Sequence, residues 1–314
     1  MTKLAFVFPG QGSQYVGMGQ SVAEAFPAAA DIFSRANDLL HTDIAALCQK
    51  GPESALNQTY NTQAAIFVTS VATLAALRAA GYTAEPDFVA GHSLGEYVAY
   101  VAAGVLSFED GLQLVRERGR LMAKAGDENP GKMAAILKLT DEQVAEICRQ
   151  ATAEAGWVQI ANLNSPGQVI ISGSAAGIDR AIELAKAAGA RRAQELAVSI
   201  AAHSKLMESA NAEFAAAVAS TPLNPPRIPV VGNISAQPLT TPAEIKAEMV
   251  GQLTHSVQWT QSVQYMIAQG VTRFVEIGPK DVLTGLIKRI DRTVSRAAVD
   301  NAADIEKLLE ESRD

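Results

Sequence analysis

The sequence predicts a parallel α/β domain interrupted by a small α+β insertion. Three observations lead to that expectation. Short apolar runs alternate with amphipathic stretches from the start of the chain. Near residue 128 the pattern changes to a βαββαβ order, the arrangement of a ferredoxin-like module. After residue 197 the first alternation resumes. The core is therefore expected over residues 1–127 and 198–314, with the insertion over 128–197. A length of 314 residues suits such a two-part chain at roughly 150 residues per domain.

Taken in order, residues 3–8 read as a buried strand that breaks at Pro9, Gly10 and Gly12. Helices follow, the clearest over 62–80, which Gly81 ends as a left-handed terminator should. Residues 88–90 form a short strand and 94–103 a helix. Ser107 opens another helix, with Asp110 at the spacing of a capping box. In the insertion, strands are expected over 133–139, 158–163, 168–172 and 191–198, and helices over 141–154 and 175–188. Residues 164–167, Asn-Ser-Pro-Gly, supply a hairpin turn. Beyond it come a helix over 203–220, a Pro-rich connector and a strand over 230–234. The next helix is opened by Thr241, Pro242 and Glu244, and a strand over 274–277 and a helix over 282–290 complete the pattern.

Composition removes several function classes. Apolar residues make up 48% and charged residues 19%, too apolar for disorder. The balance of 26 basic against 33 acidic residues gives a net charge of −7, and no long basic run offsets it, so nucleic acid is not an expected partner. The longest apolar run, 64–77, contains Thr69, Ser70 and Thr73 and stops at Arg78, short of a membrane span. Residues 4–9 are too short for a signal-peptide core. Cys48 and Cys148 are too few for a disulfide scaffold, and no Cys/His spacing forms a metal site. A soluble cytoplasmic protein without metal or cofactor is the expectation.

Two nucleotide motifs fail on inspection. Gly10 and Gly12 lack the third glycine of a dinucleotide fingerprint, because Tyr15 stands in its place. Gly126, Gly131 and Lys132 have phosphate-loop spacing, but Met133 replaces the required hydroxyl residue. Gly91-His-Ser-Leu-Gly95 does fit the G-x-S-x-G nucleophile elbow, with a strand before it and a helix after. A serine there sits at a helix N-terminus, where free N–H groups stabilise an oxyanion. Ser93 needs a base, and the chain offers His41, His92, His203 and His255. His92 adjoins the serine and should point away, and His41 lies in a polar stretch. His203 and His255 remain, and no acidic residue can be named as a third member. Arg118 falls in the apolar arc of its helix, among Gly111, Leu114, Val115, Leu121 and Met122. A guanidinium there needs a buried acceptor, either a core carboxylate or the carboxylate of a substrate.

Residues 8–14 (Phe-Pro-Gly-Gln-Gly-Ser-Gln), residues 91–96 (Gly-His-Ser-Leu-Gly-Glu), Arg118-Gly119 and a histidine about 110 residues past the serine form a set. With residues 162–169, Gln252, residues 257–259 and residues 282–290, the chain resembles malonyl-CoA:acyl-carrier-protein transacylases of bacterial type II fatty acid synthesis. The resemblance runs over essentially the whole chain. It implies an α/β-hydrolase-like core with the ferredoxin-like insertion. It implies Ser93 as nucleophile and His203 as base, oriented by a main-chain carbonyl beside Gln252. Backbone N–H groups of Gln11 and Leu94 would form the oxyanion hole, and Arg118 would hold the malonyl carboxylate. Asn162 and Asn164 would line the cleft near the pantetheine arm. Malonyl-CoA and an acyl carrier protein are the implied partners. Two stretches depart from the family pattern: residues 199–203, Ser-Ile-Ala-Ala-His, and residues 278–281, Gly-Pro-Lys-Asp, in place of the more usual Gly-Pro-Gly-Lys.

Three readings compete at this point. The first is transfer of a malonyl group through a malonyl-serine ester. The second is a serine thioesterase or acyl hydrolase of the same fold, which an acidic partner on His203 would favour. The third is a carrier-binding module in which Ser93 is incidental. A discrete acyltransferase of polyketide synthesis is a variant of the first. Because carrier proteins are acidic, a basic docking patch is expected, either at Lys288, Arg289, Arg292 and Arg296 or at Lys186, Arg191 and Arg192.

Overall fold

Nothing polar follows Lys3 in the first apolar run, and in the computed structural model that run is a strand buried on both faces. The structure describes residues 3–198 and 200–312. The strands there are β1 (Lys3–Phe8), β2 (Phe88–Gly91), β3 (Gly131–Leu137), β4 (Val158–Ser165) and β5 (Gln168–Ser174). They continue with β6 (Arg192–Glu195), β7 (Val230–Val231), β8 (Pro238–Leu239), β9 (Val271–Ile277) and β10 (Ser295–Val299). Six of them form one sheet in the order β10-β9-β1-β2-β7-β8, parallel except for the β7–β8 pair. The other four form an antiparallel sheet in the order β4-β5-β3-β6.

Alternation along β1 divides the core. Leu4, Phe6 and Phe8 pack on one face against Ile66 and Phe67 of the Thr59–Ala79 helix. Ala5 and Val7 pack on the other against Trp259, Val263 and Leu283. By length and hydropathy the Thr59–Ala79 helix matches a membrane span, yet most of it is buried inside the protein, as the central helix of the core. The antiparallel sheet is also two-sided. Val169 and Ile171 face the helices Asp141–Glu154 and Ala175–Ala187, whereas Met133 and Ile170 face the larger core and its cavity.

Several boundaries move from their expected places, each for a local reason. The strand expected over 230–234 is cut to Val230–Val231, because the N–H groups of Asn233 and Ile234 go to the carboxylates of Glu96 and Glu248 instead of a neighbouring strand. The helix expected from 203 begins as a short 3₁₀ turn at Lys205–Met207, and His203 stays in the preceding loop with φ of 56°. β6 ends at Glu195, and Leu196 and Val198 turn into the cavity. Ser107 caps Asp110 N–H, but its hydroxyl donates to the Asp110 carboxylate, which therefore does not return the bond to the backbone as a full capping box would. Thr241 and Glu244 do form the reciprocal pair. β10 and the Ala302–Glu311 helix were not foreseen; β10 is an edge strand with only Val299 buried, so it lacks an apolar run.

Phe67 is fully buried and stacks on Phe108 at 5.9 Å. Phe67→Ala should lower unfolding free energy by about 3–5 kcal/mol, measured by urea denaturation.

Candidate active site

The turn between β2 and the Gly95–Ala102 helix has no room for side chains at its flanks. A Cβ on Gly91 would lie 1.9 Å from the Gly95 carbonyl carbon, and one on Gly95 would lie 2.1 Å from the Phe8 oxygen. Between them Ser93 takes a left-handed φ of 52°, a conformation worth holding only if the surroundings over-determine it. They do so through Asn233, whose Oδ1 accepts the Ser93 N–H at 2.7 Å and whose Nδ2 donates to the Gly91 oxygen at 2.7 Å.

The Ser93 hydroxyl lies 2.7 Å from His203 Nε2. His203 Nδ1 is 2.8 Å from the main-chain oxygen of Gln252. A carbonyl only accepts, so Nδ1 carries the proton and Nε2 is the free acceptor for the hydroxyl. Burial, then the charge of Arg118, pushes His203 down to about 3. Of the other histidines, His41 ends a helix at the surface, and His255 is exposed and bonded to the Gly251 oxygen. His92 binds Asn164 Oδ1 at 2.8 Å and packs edge-on against Trp259.

Arg118 is 1% exposed. Its Nη1 donates to Gln63 Oε1 at 2.7 Å, and its Nη2 to Gln252 Oε1 at 2.8 Å and to Ser93 Oγ at 3.1 Å. The Tyr97 ring lies 5.7 Å from the guanidinium, and Nε has no partner among the described residues. Of the two acceptors expected for it, no core carboxylate contacts it directly: its acceptors are amide and hydroxyl oxygens, with the buried Glu96 carboxyl one amide away behind Gln252. Burial lowers its affinity for the proton relative to a free guanidinium. Gln252 is the meeting point. Besides holding Arg118 and His203, it donates through Nε2 to the Ser93 oxygen at 3.1 Å and to Glu96 Oε2 at 2.5 Å. Glu96 also accepts from Asn233 N and Nδ2, each at 2.8 Å. Burial and the nearby Glu248 raise the Glu96 carboxyl well above its usual range.

A cavity of about 210 Å³ opens over Ser93. Gln11, Leu94, Arg118, Asn162, Asn164 and His203 all line it, and Met122, Met133, Ile170 and Leu196 supply apolar walls. Among the described residues the backbone N–H groups of Gln11 and Leu94 have no partner.

An acyl transferase domain model matches residues 5–308. The malonyl CoA-acyl carrier protein transacylase of Bacillus subtilis is 44% identical over 310 residues, covering 99% of this chain and 97% of the relative. An acyl carrier protein S-malonyltransferase structure from Vibrio cholerae superposes with a TM-score of 0.93 at 43% identity, covering 98% of this chain and 100% of the other. A malonyl-transacylase solved in complex with a type II PKS acyl-carrier protein gives a TM-score of 0.95 at 42% identity, covering 99% and 100%. The chain belongs to the acyl transferase family of malonyl-CoA:acyl carrier protein transacylases.

In this acyl transferase the eight residues singled out from sequence meet around one cavity, Gln252 just behind its wall. Ser199 lies outside the described residues. Sequence reading missed Gln63, Glu96 and Asn233. The first two carried the signal that exposed Arg118, a polar residue within an otherwise apolar helix face. Asn233 had none. The two basic clusters meet at a separate groove of about 650 Å³, lined by Arg191, Arg192, Arg289, Arg292 and Lys138; Lys186, Lys288 and Arg296 do not line it.

An unfolded chain protonates His203 near 6.5, which the folded acyl transferase resists down to about 3. Below 6.5 the unfolded state binds the extra proton, so this group's share of stability is present above 6.5 and is lost as pH falls toward 3. Denaturation midpoints across that window should fall less steeply for His203→Asn than for the wild type.

Proposed function

We propose that the chain moves a malonyl group from malonyl-CoA to the phosphopantetheine thiol of an acyl carrier protein, through an ester on Ser93. The observation that carries this reading is the placement of one hydroxyl between a neutral imidazole at 2.7 Å and, at 3.1 Å, a buried guanidinium with no carboxylate bonded to it. His203 Nε2 takes the Ser93 proton as Oγ attacks the thioester carbon. The N–H groups of Gln11 and Leu94 receive the oxyanion, and the CoA sulfur leaves with the proton from Nε2. The carrier thiol then gives its proton to Nε2 and attacks the ester, and Ser93 Oγ takes the proton back. Arg118 binds the free carboxylate of the acyl group, which lies two carbons from the reacting carbonyl and so within the reach its position sets. Asn162 and Asn164 flank the arm that delivers the thioester.

Transfer is favoured over hydrolysis by the orientation of His203. Its Nδ1 partner is a carbonyl, not the carboxylate that would stabilise an imidazolium. A base so weakened suits a thiol, with a pKa of about 8.5, far better than water at about 15.7. The apolar walls from Met122, Met133, Ile170 and Leu196 help keep water from the ester. We read the β4-β5-β3-β6 sheet with its two helices as a ferredoxin-like insertion over 128–197 on an α/β-hydrolase-like core, and the cavity as the seam between them. A cytoplasmic location accords with this reading. Incubation with malonyl-CoA should add one malonyl group to the intact chain, and Ser93→Ala should abolish the adduct and lower transfer by at least about 10⁴-fold.

The groove lined by Arg191, Arg192, Arg289 and Arg292 is the proposed seat of the acidic carrier. These arginines form no ion pair among the described residues, so their charge is available. A smaller depression shares Arg192 and Arg289 with the groove and Leu196 with the catalytic cavity, giving the arm a path inward. Arg289→Glu with Arg292→Glu should raise the KM for carrier about tenfold at low salt. Acylation by malonyl-CoA should stay as it was, and the difference should shrink as salt shortens the Debye length below about 10 Å. Unchanged carrier kinetics would remove the groove from the docking surface.

A further inference from the structure

We infer that Glu96 is a positioning residue for acyl selectivity: its carboxyl fixes which way the Gln252 amide faces, and that orientation holds Arg118 ready for the acyl carboxylate. The inference rests on the reading of Arg118 given above. Gln252 has one acceptor and two donors on its side chain, and all are used. Its oxygen meets Arg118 Nη2, and its nitrogen donates to Glu96 Oε2 and to the Ser93 oxygen. Turned over, the same amide would set N–H groups against the guanidinium and its oxygen against two other oxygens. Its correct sense therefore depends on an acceptor at the Glu96 position.

Glu96 is suited to that task because it is fully buried and held in place through the oxygen that Gln252 does not use. One of its oxygens accepts both Asn233 donors, and the other accepts Gln252. Three N–H groups thus converge on two oxygens, an arrangement that a carboxyl provides. A glutamine cannot do so. If its oxygen stays with Asn233, its NH₂ meets the NH₂ of Gln252, and the relief of that clash is to reverse Gln252 against Arg118. Each buried donor left without an acceptor costs about 1–3 kcal/mol. With that oxygen kept on Asn233, the Asn233 bond to the Ser93 N–H and the Gln252 main-chain bond to His203 are retained, and around these two residues the reversal removes only the Gln252 Nε2 bond to the Ser93 oxygen. Its effect should therefore fall on substrates that use Arg118 and spare those that do not.

The test measures acylation of the full chain by intact mass, with malonyl-CoA and with acetyl-CoA, after thermal melting has established folding. Glu96→Gln should lower the malonyl-to-acetyl rate ratio at least about tenfold, since unpaired buried polar groups discriminate strongly, the malonyl rate falling far more than the acetyl rate. Equal slowing of both substrates, or no change in either, would overturn the inference. Glu96→Asp keeps two acceptor oxygens but draws them back from Gln252 by one methylene. It should lower the ratio severalfold, and it decides the matter if the glutamine variant does not fold; an unchanged ratio would again count against Glu96. Arg118→Ala run in parallel separates the two levels. A ratio unaffected by that change refutes the carboxylate role of Arg118 itself, whereas a ratio lost in Arg118→Ala and kept in Glu96→Gln refutes only the part assigned to Glu96.

Discussion

A guanidinium taken wholly out of water must be surrounded by acceptors, and Arg118 imposes that demand on everything near Ser93. The chain meets it at both terminal nitrogens with uncharged oxygens from Gln63, Gln252 and Ser93, leaving Nε unpartnered among the described residues. A carboxylate in their place would neutralise the guanidinium outright. Each amide recruited must then be satisfied at its other end, so the requirement passes from Gln252 to Glu96, and from Glu96 to Asn233, which returns to the Ser93 N–H. The strained serine and the buried cation are therefore held by one closed circuit.

The two sheets divide the labour around that circuit. The parallel sheet provides the turn that exposes Ser93 and is covered on both faces, as a sheet with crossover helices must be. The antiparallel sheet spends one face on its own helices and turns the other, with Met133 and Ile170, toward the cavity. Period-two alternation thus serves as wall building: a one-residue slip in β5 would replace Ile170 by Val169 or Ile171 and unmake both the helix contact and the lining.

Much of this was legible in the sequence because the signals were local. The elbow needs glycines where backbones touch, and the helix periodicity by itself places Arg118 in the apolar arc. The order of most strands and helices follows from alternation together with turn and cap residues. What escaped was non-local. The shortening of β7 follows from two glutamates more than 100 residues and 14 residues away in the chain, one on either side of it, that capture the N–H groups of Asn233 and Ile234. The carbonyl that orients His203 belongs to any residue type, so the family resemblance alone pointed to it. β10 and the short strand β8 pair only because neighbours already stand beside them, and neither has an apolar run of its own.

The attachment of β4 to the larger core has a mechanical side. Asn162 bridges Val257 in parallel, and Leu163 and Val257 exchange backbone bonds with the facing chain. Gln159 of the same strand donates to the oxygens of both His203 and Thr254. These bolts lie within a few residues of Gln252, so the small sheet cannot rock away without pulling on the loop that aims the imidazole. The jaw and the trigger are one part. A gap built that way behaves as a fixed gauge for what enters it, since any displacement that widens it would also turn the His203 imidazole away from the Ser93 hydroxyl.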